Sequence, residues 1–196
     1  MTNKFDNDFL KMGGFGEEGL ELAYKICIFG NSGVGKTTLV TRYITNKFHE
    51  EIQATLGASV HIKFMEIETG RITVHVWDFG GHKEYQFLIS SYSRGASGGI
   101  FMFDLTNYDS LIALNEWLPE FGKTVRNVPI IIVGGKLDLE QQRVCKKDEV
   151  LDMLESYNFY EYIECSSKTG ENIELVFRVL LLKILKDQGY ENIKFI

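Results

Sequence analysis

The run Gly30-Asn31-Ser32-Gly33-Val34-Gly35-Lys36-Thr37 constrains this chain more than any other feature. It matches G-x-x-x-x-G-K-[ST], and it sits between a mostly apolar run, Tyr24 to Phe29, and a helical pattern over Thr38–Lys47. Glycines let the backbone curl so that its N–H groups face a polyphosphate. The helix N-terminus adds partial positive charge. In such a loop Lys36 reaches the β- and γ-phosphates and the Thr37 hydroxyl holds Mg²⁺. The surrounding amides of Ser32, Gly33, Val34, Gly35 and Thr38 complete the expected cradle. The motif alone does not separate ATP from GTP.

Around this loop, strands and helices alternate. Strand patterns cover Tyr24–Phe29, Ser59–Glu68, Arg71–Asp78, Ile100–Leu105, Val128–Val133 and Tyr160–Cys165. Helical patterns cover Ser110–Lys123, Lys147–Tyr157 and Glu171–Lys186, with Pro119 expected to bend the first of these or end it early. Thr69-Gly70 reads as the turn of a hairpin. Alternation implies parallel strands joined by right-handed crossovers, and the hairpin adds one antiparallel edge strand. The fold expected is a three-layer α/β domain with a mostly parallel six-stranded sheet, and ligands bind such sheets beyond the carboxyl ends of the strands.

The chain's 196 residues suit one such domain. Its division is expected as a flexible N-terminal extension over 1–22, with four glycines, a domain over 23–187 and a short C-terminal tail over 188–196. A net charge of -6 argues against non-specific nucleic-acid binding and against a polybasic membrane patch. Cys27, Cys145 and Cys165 lack zinc-type spacing and read as reduced thiols of a cytoplasmic protein. No secretory leader, membrane span or terminal prenylation cysteine is read in the sequence, so no lipid anchor is expected. Recruitment to membranes through other proteins stays open.

Over roughly residues 23–187 the chain resembles the Ras/Rab superfamily of small GTPases. The resemblance rests on the phosphate loop, Ala54-Thr55-Leu56-Gly57, Trp77-Asp78-Phe79-Gly80-Gly81, Gly135-Lys136-Leu137-Asp138 and Glu164-Cys165-Ser166-Ser167-Lys168-Thr169-Gly170, in that family's order. Rab-like details are Tyr92-Ser93-Arg94-Gly95-Ala96 and Phe103-Asp104-Leu105-Thr106. The resemblance implies a P-loop NTPase G domain that binds GTP or GDP with Mg²⁺ and acts as a molecular switch. It implies that Thr55 ligates Mg²⁺ with Thr37 and touches the γ-phosphate, that Asp78 holds Mg²⁺ through a water, and that the Gly81 amide bonds the γ-phosphate. Phe48 would pack edge-on against the base, or else serve as a core aromatic at a helix end. Asp138 would accept from guanine N1–H and the 2-amino group, and Lys136 would lie along the base. The Ser167 amide would bond O6, Ser166 would brace Asp138, and Lys168 completes that loop.

Two departures stand out. His82 occupies the place of the family's water-orienting glutamine. Histidine has donor and acceptor nitrogens, so it either positions water or substitutes poorly for the amide. Gly135 replaces an asparagine, which removes bonds to the base on the order of 1–3 kcal/mol. His49, His61 and His75 read as exposed or edge-strand residues. The expected activity is slow GTP hydrolysis, with Lys36, Thr55, Gly81 and His82 as the catalytic set. Effector, GTPase-activating and exchange proteins are the implied partners. The alternatives are a module locked on GTP, motivated by His82 and Gly135, and an ATP-using enzyme, for which no acceptor site or lid is visible.

Overall fold

The computed structural model describes residues 19–50, 53–191 and 193–196. Six strands form one sheet in the order β2-β3-β1-β4-β5-β6. They are β1 (Leu20–Phe29), β2 (Ala58–Ile67), β3 (Gly70–Phe79), β4 (Gly98–Asp104), β5 (Ile130–Gly135) and β6 (Glu161–Glu164). Among the described residues only β2 runs antiparallel to its neighbouring strand, at the sheet edge. The helices are α1 (Lys36–Thr45), α2 (Phe87–Tyr92), α3 (Tyr108–Ile112), α4 (Leu114–Gly122), α5 (Lys147–Ser156) and α6 (Ile173–Asp187).

Period-two alternation divides the sheet between two cores. Tyr24, Ile26 and Ile28 of β1 face α1 and α6, while Cys27 and Phe29 face the layer of α3, α4 and α5. Helix α1 buries Leu39, Val40 and Tyr43, which fall on one side of the helix, and Tyr43 stacks on Phe177 of α6 with ring centroids 3.8 Å apart. It ends at Asn46, in the left-handed conformation at φ 56°. Strand β4 is buried along its whole length, as a central parallel strand should be.

The order reverses around β1, whose C-terminal end opens into the phosphate loop between β3 and β4. That reversal leaves a crevice at the carboxyl ends of the strands. The functional motifs gather there.

Several boundaries differ from the sequence reading. Residues 20–22, expected in the extension, are the first rungs of β1, with Leu20 opposite Gly70 and Leu22 opposite Ile72. The rest of the expected extension, residues 1–18, lies outside the described residues. The expected helix Ser110–Lys123 is two helices meeting at Ala113, and Pro119 lies inside α4 without ending it. Burial of Leu114, Trp117 and Phe121 holds α4 together across the one bond that proline cannot make. Helix α2 and two 3-10 segments, Lys83–Tyr85 and Leu137–Gln142, were not expected.

The tail is paired rather than free. Phe195 bridges Ile67, the Glu68 amide donates to the Lys194 carbonyl at 3.1 Å, and the Ile196 amide donates to the Glu66 carbonyl at 3.1 Å. These bonds cover the end of the β2 edge, which would otherwise present unpaired backbone groups. All three cysteines are buried and free. Cys165 falls one residue past β6. Among the described residues, no helix is long and apolar enough to cross a membrane.

Candidate functional site

The phosphate loop turns sharply because Gly30 adopts φ 139°, and a Cβ there would strike the Met102 carbonyl oxygen at 2.1 Å. Among the described residues, no backbone carbonyl accepts from the amides of Gly33, Val34 or Gly35. Such a row of unused N–H groups at a helix start forms an anion nest. Lys36 is buried and folds back along the loop, donating to the carbonyls of Gly30 at 2.8 Å and Asn31 at 2.7 Å. Burial pushes its pKa down to about 8, with Asp78 pulling the other way. Among the described residues Lys36 makes no ion pair, and a phosphate would supply one. The loop is braced from outside by the Trp117 indole, which donates to Asn31 Oδ1 at 2.7 Å.

At the head of α1 three side chains converge. The Thr37 hydroxyl lies 2.8 Å from that of Thr55 and 2.5 Å from Asp78 Oδ2, and Thr55 donates to the same oxygen at 3.2 Å. Asp78 is fully buried, and among the described residues its Oδ1 has no hydrogen-bond partner. Burial raises its pKa, opposed by the Thr37 hydroxyl, Lys36, the Thr55 hydroxyl and His61. An orphaned carboxylate oxygen beside two hydroxyls is a hard-oxygen set of the kind Mg²⁺ takes. The donor set therefore fits the ion expected from the sequence.

Gly81 closes over this cluster. Its carbonyl accepts from the Ser32 amide at 3.0 Å, and a Cβ would meet the Ser32 nitrogen at 2.2 Å, so only glycine fits. Gly80 donates to the Gly57 carbonyl at 2.8 Å, tying the Thr55 segment to the end of β3. His82 is exposed, with Nε2 3.4 Å from Ser32 Oγ. The following Lys83 pairs with Glu116 of α4 at 2.9 Å. Gly33, Gly35, Thr38, Gly81 and His82 share one cavity of about 130 Å³ with Lys36, Thr37 and Thr55.

A second cavity of about 290 Å³ adjoins it through Gly33, Gly35 and Thr38. Val34, Phe48, Lys136, Asp138, Ser167 and Lys168 line it. Asp138 accepts from Ser166 Oγ at 2.6 Å, and Ser166 is itself buried and accepts from the Thr169 amide at 3.1 Å. Lys136, in the left-handed conformation at φ 64°, reaches across to Asp104 at 2.7 Å. The Leu137 amide donates to the Cys165 carbonyl at 3.0 Å, stitching together the loops that follow β5 and β6.

Arg143 clamps these loops from below. Its guanidinium makes bidentate contacts to Glu164 at 2.9 and 2.6 Å and also holds Glu140 at 2.9 Å. Burial pushes the Glu164 carboxyl up, but the bonds from Arg143 and Tyr162 outweigh it and hold the group below the usual range. Arg143→Met strands Glu164, whose side chain is only 18% exposed. We expect a loss of about 2 kcal/mol in stability. Chemical denaturation checks it, and an unchanged midpoint would remove the clamp from this account.

The structure thus brings the predicted residues into two joined cavities, with Asp78 and Ser166 directly behind their walls. Sequence reasoning missed Gln53, Ala54 and Phe79 on the first wall and His49, Glu50, Met102 and Leu139 on the second. Proximity to Thr55, Asp78, Phe48 and Asp138 along the chain was a usable signal for six of them; Met102 had none. His49 is exposed and His61 lies on the edge strand β2, as expected, with its Nε2 buried and without a partner among the described residues; His75, by contrast, is half-buried on β3, inside the sheet.

The geometry agrees with what comparison with known proteins finds. The Ras family profile matches residues 25–186. The chain is 38% identical over 159 residues to the GTP-binding nuclear protein GSP1 of Encephalitozoon cuniculi, covering 80% of this chain and 74% of that one. It is 36% identical over 167 residues to Ras-related protein Rab-1 of Theileria parva, covering 84% and 75%. It is 31% identical over 174 residues to human Ras-related protein Rab-25, covering 88% and 81%. The chain belongs to the Ras family of small GTPases.

Proposed function

We propose that this chain is a guanine-nucleotide switch that binds GTP or GDP with Mg²⁺ and hydrolyses GTP slowly. The observation that carries this reading is the Thr37, Thr55 and Asp78 cluster, with one buried carboxylate oxygen left unpartnered at the head of the phosphate loop. Thr37 and Thr55 would hold Mg²⁺ directly and Asp78 through a water, and the bound ion would neutralise charge on the phosphoryl oxygens. Lys36 would leave its carbonyl partners to meet the β- and γ-phosphates. Thr55 joins the cluster from a loop, so loss of the γ-phosphate removes its reason to stay there. Asp138, held in orientation by Ser166, would select guanine, and the Ser167 amide would meet O6.

Slowness follows from His82. Phosphoryl transfer depends on positioning, and small misplacements of the water-orienting group cost much rate. His82 is exposed and touches Ser32 only loosely, at 3.4 Å, so among the described residues no other side chain fixes its ring. A partner protein that orders it would accelerate turnover, which is the role expected of a GTPase-activating protein. Effectors and exchange proteins belong to the same reading, as does cytoplasmic placement with recruitment to membranes through other proteins. The unfixed His82 also favours the second reading, a module that holds GTP without cleaving it.

The test loads purified protein with GTP or ATP and Mg²⁺ and follows the bound nucleotide over hours. Retained GTP turning to GDP, with ATP not retained, is the expected result, and His82→Ala should then slow conversion further. Intact GTP would favour the locked module. Retained ATP would overturn the reading of Asp138.

A further inference from the structure

Resting on the guanine reading, the wall of the base cavity around Gly135 carries a further conclusion. Gly135 ends β5 directly before Lys136, and a side chain there has no room. A Cβ on Gly135 would lie 2.5 Å from Met102 Cε and 3.1 Å from the Val34 carbonyl oxygen. The same methyl lies 3.5 Å from the Cβ position of Gly35 in the phosphate loop. Met102 enters from β4, is only 1% exposed, and its side chain lines the base cavity. A thioether therefore stands between the phosphate loop and the strand that delivers Lys136 and Asp138. It fills an irregular gap well, but it has no hydrogen to donate.

Guanine presents a donor edge, made of N1–H and the 2-amino group, and the acceptors O6, N7 and N3. N1–H and the 2-amino group would go to Asp138, and O6 would go to the Ser167 amide. N7, an acceptor, lies beyond O6 on the edge of the imidazole ring. With the donor edge and O6 held by the loops after β5 and β6, N7 would face Met102, which lines the cavity and packs against Gly135. The nearest lysine on that strand end, Lys136, is already paired with Asp104 at 2.7 Å.

We propose that Met102 is a specificity-determining residue whose methyl seals the cavity floor, so that guanine is selected by its N1/N2 edge and O6 while N7 is not read. The ligand class then includes guanine nucleotides that lack the N7 acceptor. The packing also makes Gly135 and Met102 a coupled pair, since an asparagine amide at 135 fits only where the methyl has been withdrawn.

Competition against a fluorescent GDP, in Mg²⁺, tests this with GDP, 7-deaza-GDP and IDP. We expect 7-deaza-GDP to bind within about twofold of GDP, and IDP, which lacks the 2-amino group, to bind about tenfold more weakly. A tenfold loss for 7-deaza-GDP would overturn the proposal while leaving the guanine reading intact. Failure of GDP itself to compete would remove the guanine reading and this proposal together. The double variant Met102→Val/Gly135→Asn should acquire about a fivefold preference for GDP over 7-deaza-GDP, which Gly135→Asn alone should lack. The same preference in the single variant would show that Met102 does not govern the site. Should the double variant fail to fold, Met102→Ala/Gly135→Asn, which also withdraws the methyl, is compared with Gly135→Asn in the same way, and an equal preference in the two would overturn the role of Met102.

Discussion

Asp138→Asn should lower affinity for GTP by about 10³- to 10⁴-fold and open the site to xanthine nucleotides. Guanine offers two adjacent donors, and a carboxylate accepts both. Asparagine keeps one acceptor and replaces the other with a donor, which repels the 2-amino group. Xanthine carries a carbonyl at that carbon and an N1–H beside it, so the new pair matches it. The Ser166 hydroxyl, 2.6 Å from Asp138 Oδ1, can still donate to the amide oxygen, so the variant should fold. Calorimetric titration with GDP and XDP checks both halves. Unchanged GDP affinity would mean that some other group reads the base edge.

Asp78→Asn should act in opposite directions on binding and on stability. A buried carboxylate with a raised pKa and an unpartnered oxygen burdens the nucleotide-free fold. The sign follows from linkage. The native state favours the protonated form, so the penalty is absent below the unfolded pKa and grows as pH rises through the folded one. The neutral amide escapes it, and the nucleotide-free variant should melt about 2–4 °C higher at neutral pH. Nucleotide retention, however, should lose its dependence on Mg²⁺, with metal affinity down by about 10- to 100-fold. Thermal melts with and without GDP, in Mg²⁺ or EDTA, read both effects. A variant that melts lower without nucleotide would refute the burial penalty, and one that keeps its Mg²⁺ response would deny Asp78 the metal role.

What could be read from the sequence divides along physical lines. The phosphate loop was legible because its backbone demands glycine at fixed points, as the close approach of Gly30 to the Met102 carbonyl shows. The six strands were legible because buried parallel strands are continuous apolar runs and the hairpin alternates. Helix α2 was not, since Phe87 is 62% exposed and only Ile89 is buried, so no amphipathic period emerges from six residues. The start of β1 was hidden because acidic residues and glycines precede it, although Leu20 and Leu22 alternate as a strand should. Met102 reads as one more apolar residue of a central strand. Its place beneath the base cavity arises only when β4, β5 and the phosphate loop are packed together. The bond from Trp117 to Asn31 joins residues 86 apart, a distance no local pattern spans.

That bond gives the protein an optical gauge of its own. The chain has two tryptophans. Trp117 fastens its only polar hydrogen to the phosphate loop, while Trp77 directly precedes Asp78 and stacks on Tyr92 with ring centroids 5.9 Å apart. Indole emission shifts with the polarity and hydrogen bonding around the ring. One chromophore is thus tied to the glycine-rich loop and the other to the strand that ends at the carboxylate, so that filling and emptying of the cleft should become visible in unlabelled protein.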